Sequence, residues 1–204
     1  MNQKPLPKNE FFNIPDYYVE LEADPKDPPY TTPYGYQADT VMTFVLVYPI
    51  HVKNVMPFGH PEILVEGIHN QLAEDQGLIE VKDGKTKTGR NYIYSIVKTS
   101  KGNGRGNQYN LSMHVFFNTY AMNITGFFDE VGVTGLRDAQ VYGLLRNEGI
   151  INIDMEDWRR DPYDANYTKG HLMNRSEEEK FDSAFPGHPL TEARNFARFL
   201  IENN

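Results

Sequence analysis

The stretch Thr40-Val41-Met42-Thr43-Phe44-Val45-Leu46-Val47-Tyr48-Pro49-Ile50 decides the fold. Written as a strand, it places Val41, Val45 and Val47 on one face and Met42, Phe44, Leu46, Tyr48 and Ile50 on the other, because side chains alternate with period two. A strand apolar on both faces has to be covered on both. The expectation is therefore a sheet with a layer above and a layer below.

The flanking segments supply such layers. Downstream, Pro61 to Gln76 reads as a helix, with Pro61 at N1, Glu62 in the first turn, a stripe of Leu64, Val65, Ile68 and Leu72, and Gly77 as the stop. Four strand-like runs follow: Leu78–Lys82, Asn91–Lys98, Gln108–Phe117 and Ala121–Phe128. Their links are short and turn-rich, so neighbours are antiparallel, since parallel neighbours need crossovers of about a dozen residues. In the third run Tyr109, Leu111, Met113, Val115 and Phe117 share a face opposite Asn110, Ser112 and His114.

A second helix is expected over Thr134–Glu148, with Thr134 as N-cap and Gly149 as its C-terminal stop. Ile150 to Ile153 reads as a last short strand or a tether. Beyond Asp154 the chain turns polar. Ser176-Glu177-Glu178-Glu179 fits a capping box, and a closing helix starts at Pro189 with Leu190, Ala193, Phe196, Ala197, Leu200 and Ile201 on one side. The division is 1–153 as the main body and 154–204 as an acidic extension whose helix packs on it.

The chain has 204 residues, 39% of them apolar and 13% aromatic, which suffices for a packed core and rules out wholesale disorder. The longest apolar run is far short of the roughly 20 residues that span a bilayer, and Met1-Asn2-Gln3-Lys4-Pro5 opens no secretory leader. A cytoplasmic location without membrane contact is the expectation. Zero cysteines exclude disulfides, thiolate metal sites and a cysteine nucleophile. With 28 acids against 20 bases the net charge of −8 repels nucleic acid.

No motif for nucleotide, serine or metal chemistry stands out, so neither a cofactor nor a metal is expected. Gly102-x-Gly104-x-Gly106 has the wrong spacing and no helix behind it for a phosphate cradle. Glu62, Glu66 and His69 share a helical face, but no second histidine completes a ligand set. Asp129 and Glu130 sit where a strand feeds a helix, with Arg137 and Asp138 just beyond. With His114 they are the candidates for a hydrolytic site, although acids at a helix start also suit its dipole. Seven cations, Lys82, Lys85, Lys87, Arg90, Lys98, Lys101 and Arg105, face only Asp83 in their stretch; Lys85, Lys87, Arg90 and Arg105 are the anion-binding candidates on a basic hairpin. Asp24 to Gln37 (DPKDPPYTTPYGYQ) reads as turn throughout.

Asn91–Lys98, Gln108–Phe117 and the run Ile124-Thr125-Gly126-Phe127-Phe128-Asp129-Glu130-Val131-Gly132-Val133-Thr134-Gly135-Leu136-Arg137 resemble uncharacterised bacterial proteins whose element order is similar to the Mog1/PsbP-like α/β/α sandwich. Arg175-Ser176-Glu177-Glu178-Glu179-Lys180-Phe181-Asp182, Phe185-Pro186-Gly187-His188-Pro189-Leu190 and Arg194 resemble the tail of proteins associated with polymorphic toxins or secretion. The resemblance implies a non-enzymatic binding role and carries no catalytic residue.

The fold expected is α+β: a three-layer α/β/α sandwich with a mainly antiparallel sheet of five to seven strands and a C-terminal helical arm. The function expected is a non-catalytic protein-binding module, such as an immunity or adaptor protein for a secreted bacterial effector. Its partner would be a basic protein, met by Tyr30, Tyr34, Tyr36, Asp154, Glu156, Asp157, Trp158 and Asp161.

Overall fold

The computed structural model describes residues 12–102, 106–155 and 157–204. Seven strands form one antiparallel sheet: β1 (Val19–Glu20), β2 (Thr32–Gln37), β3 (Val41–His51), β4 (Gln76–Lys85), β5 (Asn91–Ser100), β6 (Asn107–Phe117) and β7 (Tyr120–Glu130). Their order is β1-β2-β3-β7-β6-β5-β4, so β4 to β7 form a meander and β7 returns beside β3. Three helices complete the α+β fold: α1 (Pro61–His69), α2 (Leu136–Asn147) and α3 (Pro189–Asn203).

The inner face of the sheet holds the core. Val45 and Val47 of β3, Tyr109, Leu111, Met113 and Val115 of β6, and Ile124 and Phe128 of β7 are buried beneath Leu190, Ala193, Phe196, Ala197 and Leu200 of α3. The strict alternation on β6 and the i, i+3, i+4, i+7 spacing on α3 meet here as their periodicities require. Tyr18 packs on the same helix, its ring 4.9 Å from that of Phe196.

The outer face differs from the expectation drawn from residues 40–50. Val41, Thr43, Val45 and Val47 of β3 are buried, yet Met42 is 45% exposed and Phe44 41%. α1 is short and touches the sheet at β4. The segment between β3 and α1 covers the far end of β6 and β7, where Phe58 meets Phe116 edge-on and the Met56 N–H donates to His114 Nδ1. Among the described residues, no helix or strand lies on Met42 and Phe44 over β2, β3 and the near end of β7. The grease on that side of β3 is thus a surface feature, and the inference of full cover from two-sided hydrophobicity fails there.

Other boundaries moved for local reasons. Thr32–Gln37, read as turn, is a strand: it has no continuous donor row to lose, since its outer neighbour β1 is only two residues long and Pro33 accepts from Leu21 through its carbonyl. α1 ends at His69, and Gly77 sits inside β4 rather than at a helix stop. A β-carbon there would lie 1.9 Å from the His171 carbonyl oxygen, so only glycine lets the tail pass that close. The capping box is real but starts two residues earlier: Asn174 caps and Glu177 returns the bond, opening a 3-10 turn at Arg175–Glu177 and a second at Glu179–Ala184. Ile150–Ile153 is a tether whose Ile151 packs with Val141, Leu145 and Trp158.

The tail is stitched into the sheet by a buried ionic network. Lys98 Nζ donates to Glu177 Oε2 at 2.7 Å with both side chains fully buried, and the Tyr109 hydroxyl donates to Glu177 Oε1 at 2.9 Å. Arg194 of α3 bridges Glu80 of β4 and Asp182 at 3.0 Å each. Arg137 of α2 reaches the same Asp182 at 2.9 Å and donates to the Ser176 and Glu178 carbonyls. Such a network costs much desolvation and fixes one arrangement of strand, tail and helix. The edge of β4 is closed without another strand: the Tyr163 hydroxyl accepts from the Val81 N–H and donates to the Val81 carbonyl, and the His171 N–H donates to Gln76.

Candidate functional site

Three concave features among the described residues touch sequence candidates; one of about 700 Å³ in the tail has Asp157 and Asp161 in its lining, and the other two are as follows. The first is a pocket of about 220 Å³ where β7, the start of α2 and the link into α3 meet, lined by Thr40, Glu130, Val133, Leu136, Arg137, Phe185, Gly187, His188 and Pro189. Glu130 ends β7 facing inward. Its Oε1 accepts from the Gly135 N–H at 2.7 Å and its Oε2 from the Asn107 N–H at 3.2 Å. Burial raises its pKa above the usual carboxylate range, against the lowering effect of those two bonds. Arg137 spends its guanidinium on Ser176, Thr191, Glu178 and Asp182. His188 N-caps α3 by accepting the Leu190 N–H at Nδ1, 3.2 Å, so the neutral ring carries its proton on Nε2. Burial, reinforced by the charges of Arg137 and Arg194, lowers its pKa to about 3.

A ring held neutral to so low a pH is a poor proton acceptor at neutrality. It is also a source of acid lability. The unfolded chain binds a proton near pH 6.5 and the folded one only near 3, so stability is lost as pH falls between those values. His188→Asn keeps a cap acceptor and is expected to flatten that loss; melting temperatures at pH 7 and pH 4.5 measure it. An unchanged difference between the two would show that His188 does not titrate in this window. Glu130, shifted upward, acts with the opposite sign and opposes the His188 effect at the acid end.

The four hydrolytic candidates do not converge. Glu130 and Arg137 share the pocket. Asp129, one residue along, lies on the outer face, ion-paired with Lys101 and accepting from Gln108 at 3.0 Å. His114 is buried near the opposite end of the sheet, bound to Asn123 at 2.8 Å, its pKa lowered by burial. The pocket residues Phe185, Gly187 and His188 enter the sequence reading only through the resemblance of the Phe185–Leu190 run, not as site candidates.

The second feature is a trough of about 580 Å³ on the uncovered part of the sheet, lined by Tyr17, Val19, Leu21, Gly35, Tyr36, Gln37, Met42, Thr43, Phe44 and Asp129. Its outer wall is the two-residue strand β1. Tyr17 and Tyr18 are both tied to α3, each hydroxyl donating to Glu192 Oε1 at 3.0 Å. Burial raises the Glu192 pKa, while the two hydroxyl bonds act to lower it. Residues 16–39 around the trough carry Asp16, Glu20, Glu22, Asp24, Asp27 and Asp39 against a single base, Lys26.

The remaining candidates are scattered. Tyr36 lines the trough, stacked edge-on with Tyr17 at 4.9 Å; Tyr34 is half-buried against the core, and Tyr30 is exposed with φ 66°. Trp158 is 5% exposed and packs edge-on against Tyr142, so it is no surface anchor. Asp161 is likewise buried, receiving His69 Nε2 at 2.8 Å and the N–H groups of Tyr163 and Asp164. Asp154 and Asp157 are exposed, Asp157 with φ 59°, and Glu156 lies outside the described residues.

Of the seven cations around the basic hairpin, three are already engaged. Lys82 pairs with Glu80 and Glu179, Lys98 is buried, and Lys101 pairs with Asp129. Lys85 and Lys87 remain exposed at the β4–β5 turn, and Arg90 lies over the Phe117 ring at 4.5 Å. Arg105 lies outside the described residues. Among the described residues no group of three or more His, Asp or Glu is gathered that could hold a metal ion, and no helix is long and apolar enough to cross a membrane.

No family model matches the chain, and no curated protein matches it. Among solved structures, the chain is similar to a protein of unknown function from Pseudomonas aeruginosa, PA94, at 10% identity and a TM-score of 0.33, over 67% of this chain and 96% of that one.

Proposed function

We propose that the chain is a non-catalytic protein-binding module whose contact surface is the uncovered trough over β2, β3 and β7. One observation carries this reading. Met42 and Phe44, with Val19 and Leu21, keep large apolar side chains exposed along one trough of the sheet, where a monomer gains nothing from them. The acidic surround selects the partner. A second copy of the chain would set acid against acid, whereas a basic protein with an apolar anchor satisfies both features.

An immunity or adaptor role toward a secreted effector, and kinship with the Mog1/PsbP-like three-layer sandwich, belong to this proposal. In that architecture the bare part of the outer face corresponds to an incomplete second layer. The hydrolytic alternative is less well supported, because its four candidate side chains are divided between the two faces of the sheet. Anion binding through the hairpin would rest on Lys85 and Lys87, exposed at the β4–β5 turn, and on Arg90, which lies over the Phe117 ring.

Phe44→Asp tests the reading. The variant is expected to fold normally, since the side chain is largely in solvent, and to lose at least tenfold in affinity for a basic protein recovered from the native host by wild-type chain. Glu20→Lys with Glu22→Lys is expected to slow association and reduce its salt dependence. Equal retention of the recovered partner by all three chains would place the contact elsewhere and sink the trough as the docking surface.

A further inference from the structure

Independently of that trough, we infer that the pocket between β7, α2 and the α3 link is a binding site for a small uncharged molecule: one apolar ring or branched group bearing a single hydrogen-bond acceptor. Size comes first. An internal cavity of about 150 Å³ holds benzene, so about 220 Å³ accommodates a monocycle with a short substituent. The walls are apolar, with Phe185 and Pro189 on the tail side and Val133 and Leu136 at the mouth. Those two mouth residues are 73% and 49% exposed, large hydrophobic groups left in water beside an open cavity.

The polar groups specify neutrality. The Arg137 charge is matched by Asp182 at 2.9 Å, and all its nitrogens already donate. Glu130 is held by two backbone N–H groups and His188 stays uncharged. An anionic ligand would lose its hydration beside the Glu130 carboxylate, and a cationic one would have to compete with the Gly135 and Asn107 N–H groups for its oxygens. What remains to offer is the His188 Nε2–H, since Nδ1 is occupied by Leu190, and it calls for one acceptor on the ligand. The site is rigid because the ionic network fixes both of its sides, α2 through Arg137 and the tail through Asp182.

Benzyl alcohol, benzoate and benzylamine are three probes of one ring with zero, negative and positive charge. Titrated into the full chain and followed by amide and side-chain NMR shifts, benzyl alcohol is expected to saturate with a Kd on the order of 0.1–1 mM. The perturbed signals should be those of Val133, Leu136, Phe185 and His188. Benzoate and benzylamine are expected to bind at least tenfold more weakly. Val133→Asp and Leu136→Asp, both exposed and so neutral to folding, are expected to weaken benzyl alcohol about tenfold, while Phe44→Asp leaves it unchanged. No saturable shift at these residues, equal or tighter binding of either charged probe, or shifts mapping to the trough would each overturn the inference.

Discussion

Glu177→Gln is expected to destabilise the fold by about 3–5 kcal/mol, the cost of leaving one partner of a buried ion pair uncompensated. Lys98 protrudes from β5 into the core face with no solvent to receive its charge, and its Nζ is paired with Glu177 at 2.7 Å. The substitution preserves shape, so the loss reports charge and hydrogen bonding: the amide cannot accept from Lys98, Tyr109 and the Asn174 N–H as the carboxylate does. Urea unfolding measures it. Pairing the change with Lys98→Met should return a substantial part of the loss, because no charge is then buried. A single variant within about 1 kcal/mol of wild type would mean that the network contributes little to holding the tail. Since whole domains are stable by only about 5–15 kcal/mol, the expected loss is a large share of the total.

Phe196→Ala is expected to cost about 3–5 kcal/mol by cavity formation in the core. The Phe196 ring is fully buried on α3, 4.9 Å from the Tyr18 ring and 6.0 Å from that of Phe128. Three parts of the chain far apart in sequence meet at this ring, so truncation also loosens the N-terminal segment that Tyr17 and Tyr18 fasten to Glu192. Urea midpoints give the stability change. Hydrogen exchange at residues 17–20 should quicken along with it, and a loss below 1 kcal/mol would show that the site collapses without a void.

Much of this architecture is legible in the residues. The apolar alternation of β6 and the apolar stripe of α3 each mark the side that faces the core, and both stand where the sequence reading put them because period and burial agree. β3 shows where that logic stops. Two-sided grease looks the same whether the second side meets a helix of its own chain or stays open, because the strand records hydrophobicity and not what covers it. Lys98 and Trp158 misled in opposite directions. A lysine among turn cations reads as solvated, yet here a glutamate seventy-nine positions later neutralises it; an isolated tryptophan among acids reads as exposed, yet it packs on Tyr142. Phe185, Gly187 and His188 joined the pocket only through long-range packing, for which local spacing carries no signal.

The position of α3 in the chain has a consequence for biosynthesis. Phe128, near the end of β7, precedes by 68 positions the Phe196 that covers it. At roughly 5–20 residues per second on the ribosome, that is a wait of about 3 to 14 s during which an assembled meander presents a bare apolar surface. A nascent chain in that interval is a substrate for chaperones, and its escape from them is timed by the emergence of residues 189–204.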